Sequence, residues 1–168
     1  MAAICAYALI TMATKISPAL SPWDAGFDVC NCLAVRQAAR RISQLYDGFL
    51  APSGLKATQF AILARLHRLG PLSVNELARL MVMDRTTLGR NLLPLERDRL
   101  VALAPGEDRR RREIELTPAG KEKLLAAAPM WKAAQASFEQ SYGSERAASL
   151  RALTRAVAEI DEPAAHRA

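Results

Sequence analysis

Between Arg85 and Arg112 the chain carries eight arginines against four acids (Glu96, Asp98, Glu107, Asp108), a local net charge of +4. A guanidinium stays charged and presents its donors as a planar fork. Its chemistry is therefore recognition of phosphates and paired acceptors rather than proton transfer. The arginines fall in two groups. Arg85 and Arg90 stand with Thr86, Thr87 and Asn91 in DRTTLGRN, and Arg109 to Arg112 form an unbroken run after Asp108. In the first group, arginine can donate to guanine in bidentate fashion. Threonine can offer a hydroxyl to a base or phosphate, or a methyl to thymine. Gly89 lets a backbone approach closely. The second group is long enough to follow a phosphate backbone or to enter a minor groove, whose negative potential attracts arginine. A run of arginines alone is usually a solvated face. The assignment rests on the elements that hold these groups.

Those elements follow a recognisable order. Residues 28–50 fit a helix, with Asp28 as its cap and Val29, Leu33, Ile42, Leu45 and Phe49 near one face. Pro52 and Gly54 end it. Thr58 is placed to cap a second helix whose stripe is Ile62, Leu63, Leu66 and Leu69, stopped by Gly70-Pro71. Ser73 and Glu76 form an S-x-x-E capping box that opens a short third helix. After a turn at residues 81–84, Asp84 opens a fourth helix to about Arg97. Leu88, Leu92 and Leu95 then share one face within roughly 60°, and Thr86, Arg90 and Arg97 share the opposite face. Pro94 removes a bond to the Arg90 carbonyl, which predicts a bend or an early helix end.

Alternation replaces helical spacing beyond that point. Val101 and Leu103, then Ile114 and Leu116, flank the turn signal Pro105-Gly106-Glu107-Asp108. This predicts a hairpin with a basic tip at Arg109–Arg112. Thr117-Pro118 restarts a helix to about Tyr142, with a kink expected at Pro129. Ser144 is expected to cap a last helix to about Asp161. Two short helices around a tight turn, followed by a basic hairpin, make a winged helix-turn-helix. The second helix of such a pair fits the major groove.

The bulk numbers agree. The chain has 168 residues, a formal net charge of +6 and 51% hydrophobic residues, enough for one domain with a sizeable core. Few aromatics and many alanines, leucines and arginines favour helix. Cys5, Cys30 and Cys32 show no framework spacing, which points to a reducing cytoplasm. Residues 1–14 are apolar but lack the basic flank of a secretory signal and are too short to span a bilayer. Residues 1–27 are expected to form a poorly ordered or interface-packing extension, and no membrane partner is expected. His67 and His166 lie far apart, and no metal-spaced cluster, nucleophile elbow or phosphate loop occurs. The expectation is a non-enzyme without metal or cofactor.

The stretches LSVNELARLMVMDRTTLGRNLLPLERDRLV and GEDRRRREIELTPAGKE resemble the MarR family (multiple antibiotic resistance type) of bacterial regulators. The likeness covers about residues 28–160. It places the family's D-x-R wing motif on Asp108 and Arg110, where the acid braces the arginine that enters the minor groove. Four consecutive arginines here depart from the usual wing. The resemblance implies a mainly α fold: a winged helix-turn-helix with a two-stranded wing, plus N- and C-terminal helices forming a dimerisation domain. It assigns 28–57 to an N-terminal dimerisation helix, 58–117 to the DNA-binding domain and 118–162 to C-terminal dimerisation helices. It further implies a homodimer, a repressor in the commoner mode, on a pseudo-palindromic double-stranded DNA site.

The family mostly senses small phenolic or carboxylate ligands, in a pocket between dimerisation and DNA-binding parts. A cation, an aromatic wall and a hydroxyl suit such a small-molecule effector, and Arg36, Arg40, Tyr46, His67 and Trp131 offer them. Simple packing or ion pairing accounts for the same residues. A second reading uses Cys32, which falls where the peroxide-sensing branch of the family has its reactive cysteine. Arg36 stands where that branch has a tyrosine, and a nearby cation lowers a thiol pKa. Cys30 and Cys32, both expected inside the helix, point to different faces and should not bond each other. A winged helix that binds protein rather than DNA is a third reading, but such domains usually lack a basic reader face.

Overall fold

The computed structural model describes residues 30–105 and 112–160. The chain divides into two compact units, Met1–Arg40 and Arg41–Ala168. Helix α1 (Asn31–Leu50) contributes to both. In the first unit, residues 31–40 are exposed along their whole length, Leu33 and Val35 included. The helix does not start at Asp28, which lies outside the described residues: Cys30 is still non-helical. Its Sγ accepts the Leu33 N–H at 3.4 Å, in the manner of a cap. The two thiols therefore do not share the helix, and both are free, as expected.

The second unit begins where α1 turns apolar side chains inward and ends on the fully buried Leu50. A 3-10 turn (Ala51–Ser53) and Gly54, in the left-handed region at φ 72°, redirect the chain. Helix α2 spans Ala57–Leu69. Thr58 is not its cap. The chain enters the helix one residue earlier, and two free backbone donors are met by other residues. The Ala57 N–H donates to Asp47 Oδ1 at 2.7 Å, and the Lys56 N–H donates to Gln59 Oε1 at 2.8 Å.

Strand β1 (Leu72–Ser73) leads directly into α3 (Val74–Leu80), and α4 (Arg85–Arg97) follows the turn. The Ser73–Glu76 box forms as expected: Ser73 Oγ accepts from the Glu76 N–H at 3.3 Å, and Glu76 Oε2 from the Ser73 N–H at 3.0 Å. Asp84 caps α4, accepting from the Thr87 N–H at 2.8 Å. The α3–α4 turn passes through Val82 at φ 51°, a strained conformation for a β-branched residue. Helix α4 does not end at Pro94 but continues to Arg97. Leu92 and Leu95 are buried on either side of the proline, and their packing holds the turn that has lost one bond.

Strands β2 (Val101–Pro105) and β3 (Arg112–Leu116) pair antiparallel, in a register that sets Val101 opposite Leu116 and Pro105 opposite Arg112. The sheet has three strands rather than two, in the order β1-β3-β2, because Leu72 and Ser73 pair with Ile114 and Glu113. Thr117 caps α5 (Pro118–Tyr142), accepting from the Gly120 N–H at 2.9 Å. A Cβ at Gly120 would lie 2.0 Å from the Leu100 carbonyl oxygen. Only glycine lets α5 start this close to the strand entry. Gly143, not Ser144, precedes α6 (Ser144–Ala158), and no side chain caps that helix.

The core gathers Leu50, Ile62, Leu63, Leu66, Leu77, Leu88, Leu95 and Ile114, all fully buried. Each such side chain contributes roughly 1.5–3 kcal/mol by leaving water. This core fixes α3, α4 and the sheet as one support for the polar face of α4. Helix α6 buries only Ala147. Among the described residues, no helix is long and apolar enough to cross a membrane.

Candidate nucleic-acid interface

The face of α4 opposite Leu88, Leu92 and Leu95 carries Thr86, Arg90 and Arg97, all exposed. Arg85, the first helical residue, is exposed too. Arg85, Thr86 and Arg90 make no side-chain hydrogen bond or ion pair among the described residues, so their donors face solvent. Arg97 differs. Its Nε donates to Asp98 Oδ1 at 3.0 Å, and that acid holds the guanidinium pKa above its ordinary value.

Two further sequence-predicted residues are tied to the helix itself. Thr87 donates its hydroxyl to Asp84 Oδ2 at 2.7 Å, as part of the cap. These bonds from Thr87, side chain first and then backbone, hold the exposed Asp84 carboxyl below the usual carboxylate range. Asn91 is half-buried and donates Nδ2 to the Thr87 carbonyl at 2.8 Å. Thr86 and Arg90 are left as the uncommitted polar side chains in the middle of the stripe.

Asp108, Arg109, Arg110 and Arg111 lie outside the described residues. Arg112 is exposed at the start of β3, where its backbone pairs with Pro105. It lines an open cleft of about 380 Å³ together with Ser73, Val74, Asn75, Glu76 and Arg85. The start of α4 and the base of the hairpin, far apart in sequence, thus present arginines to one concavity. The β1–β3 pairing brings them there. Sequence reasoning missed it because a two-residue strand carries no periodic signal.

The residues expected to hold an effector separate into two groups. Arg36 and Arg40 are exposed on the first half of α1, and Cys32 is exposed near its start. In the second unit, Tyr46 is half-buried and its hydroxyl donates to Gln135 Oε1. Burial raises the Tyr46 pKa most, and the Glu139 charge raises it further against an opposing effect of Arg151. Trp131 lies one turn before Gln135 on α5 and stacks on Phe60, with centroids 5.9 Å apart and planes 11° from parallel. Trp131 and Gln135, the partner of Tyr46, therefore share one side of α5. Phe60 joins them, although its sequence position shows only helical burial. His67 is exposed in the last turn of α2, two turns beyond Phe60.

The MarR family profile matches residues 53–112, the stretch from the α1–α2 turn to the hairpin. An uncharacterised HTH-type transcriptional regulator of Bacillus subtilis, YwoH, is 29% identical over 89 residues. That match takes in 53% of this chain and spans 65% of the relative's length. Among solved structures, the M. tuberculosis transcriptional regulator MosR is 38% identical with a TM-score of 0.67, covering 78% of this chain and 97% of that one. MosR in complex with DNA is 37% identical with a TM-score of 0.64, covering 78% and 99%. These relatives are regulators rather than enzymes. The capped helix pair, the three-stranded sheet and the flanking helices match at this identity over nearly the whole of a solved relative, and the chain belongs to the MarR family of transcriptional regulators.

Proposed function

We propose that this chain is a ligand-responsive, DNA-binding repressor that acts in the cytoplasm as a homodimer on a pseudo-palindromic operator. Helix α4 enters the major groove, and the Asp108–Arg112 tip enters the minor groove. The observation that carries this reading is the uncommitted stripe of Thr86 and Arg90, flanked by Arg85 and Arg112 across one cleft. Donors without protein partners on a rigid, capped helix are pre-organised for base edges and phosphates. The solved complex of MosR with DNA supports the same assignment.

Dimerisation is supported by apolar side chains without cover: Leu33 and Val35 on α1, and Leu153, Val157 and Ile160 at the C-terminal end. On this reading residues 28–57 and 118–162 serve dimerisation and 58–117 serve DNA. Tyr46 on Gln135 and Phe60 on Trp131, along one side of α5, support a small phenolic or carboxylate effector in the second unit. Such a ligand acts by preferring one spacing of the two reader helices over another.

Titration of a labelled mixed-sequence duplex at several salt concentrations tests the DNA reading. Binding should weaken steeply with salt, and absence of binding at low salt overturns the proposal. Once a preferred site is selected from random duplexes, Arg90→Ala should cost about 1–3 kcal/mol of specific affinity. The loss should concentrate at the base pair Arg90 reads.

A further inference from the structure

The outward stripe of α4 contains one residue that does not fit a purely polar reader. Leu93 follows Arg90 by three positions and precedes Arg97 by four, so it lies between them on the exposed face. It is 64% exposed, whereas Leu88, Leu92 and Leu95 satisfy the core from the other side of the same helix. The fold gains little from a leucine at this place.

Gly89 stands one turn before it. A Cβ added at Gly89 would meet nothing within 4 Å, and the residue has no positive φ. The protein's own packing therefore does not require glycine, although glycine weakens a helix interior relative to alanine. A long side chain on a helix leans toward the N-terminus, which carries Leu93 over the position of residue 89. The place of the missing methyl is open space, on the same side of the helix as the exposed Leu93.

We propose that Gly89 and Leu93 together form an apolar reader for the C5-methyl group of a thymine, beside the base pair addressed by Arg90. In the major groove only thymine presents a methyl, while the other edges present donors and acceptors that a leucine leaves unsatisfied. Leu93 sits about 4.5 Å along the helix axis from Arg90, close to one base-pair step of about 3.4 Å. The two side chains thus address neighbouring steps, one through hydrogen bonds and one through apolar contact.

This inference rests on the DNA-binding reading, and its test separates the two. The probe is a duplex selected by the full-length protein from random sequence, with each thymine replaced in turn by uracil. That change removes only the methyl. At one thymine per half-site the wild type should lose about fourfold in affinity, the worth of one buried methyl group. Leu93→Ala should bind the thymine and uracil duplexes equally. Leu125→Ala, which truncates a leucine 55% exposed on α5, should keep the full uracil effect. Gly89→Ala should bind the thymine duplex less well while melting at the same temperature or higher. If no uracil position matters to the wild type, or if Leu93→Ala keeps the effect, the methyl reader is wrong while DNA binding stands. If no duplex is selected at low salt, both readings fall.

Discussion

Leu88 and Leu153 each stand within a single helix of this chain, yet Leu88 is fully buried and Leu153 is 68% exposed. The contrast extends to their surroundings. From α2 to the start of α5 most of the large apolar side chains close on one another, and the caps of α3, α4 and α5 are met by Ser73, Asp84 and Thr117. In α6 a single alanine is buried, no side chain caps the first turn, and Leu153 and Val157 face outward, as does Ile160 just beyond it. The first region buries its core among its own described residues. The second carries an apolar face that no described residue covers, and a second copy would supply the cover. Under the proposed function, the first region would present side chains to DNA and the second would set where its copy stands.

The largest expected effect lies in the self-contained region. Leu88→Ala should lower stability by about 3 kcal/mol, through lost burial and the cavity left behind. Urea unfolding followed by circular dichroism measures it. A loss under about 1 kcal/mol would mean that the site collapses easily and that α4 is less firmly held than its burial indicates. The intermediate effect lies in α6. Leu153→Asp should leave the helical signal intact but raise the dimer dissociation constant by about tenfold or more, roughly 1.4 kcal/mol. Sedimentation equilibrium reads this directly, and an unchanged oligomeric state would remove α6 from the interface.

The smallest effect tests the caps. Asp84 has a folded pKa below its ordinary value, so its contribution is present above the unfolded pKa and fades as pH falls through the folded one. Acidification from about pH 5 to about pH 2 should therefore weaken α4 in the wild type. In Asp84→Asn that part of the acid dependence should vanish. Thermal melts across the range compare the two slopes, and identical slopes would show that the cap does not contribute.

Much of the fold was legible in the sequence because its signals are local. A capping box, a T-P helix start or a leucine stripe is decided by atoms within one or two turns, so neighbouring residues announce it. The same locality misled at Thr58 and Ser144. Both residues are good caps in isolation, but Asp47 reaches the first free donor of α2 from another helix, and Gly143 takes the position before α6. At Pro94 the early end did not occur: the helix runs to Arg97, as its spacing indicated, with Leu92 and Leu95 buried around the proline.

The candidate site divides in the same way. The residue types of α4, the basic run and the family motifs were present in the sequence, and they gave the class of partner and the helix proposed to address it. Which of those residues are uncommitted was decided by the folded helix. There the Thr87 hydroxyl turns back on the Asp84 carboxylate and Asn91 on the Thr87 carbonyl, while Thr86, Arg90 and Leu93 face outward. That Arg85 and Arg112 share a cleft was decided by a two-residue strand pairing with one far along the chain. Short-range order follows from residue spacing. The meeting of distant segments follows from the burial of a common core, which no local pattern encodes.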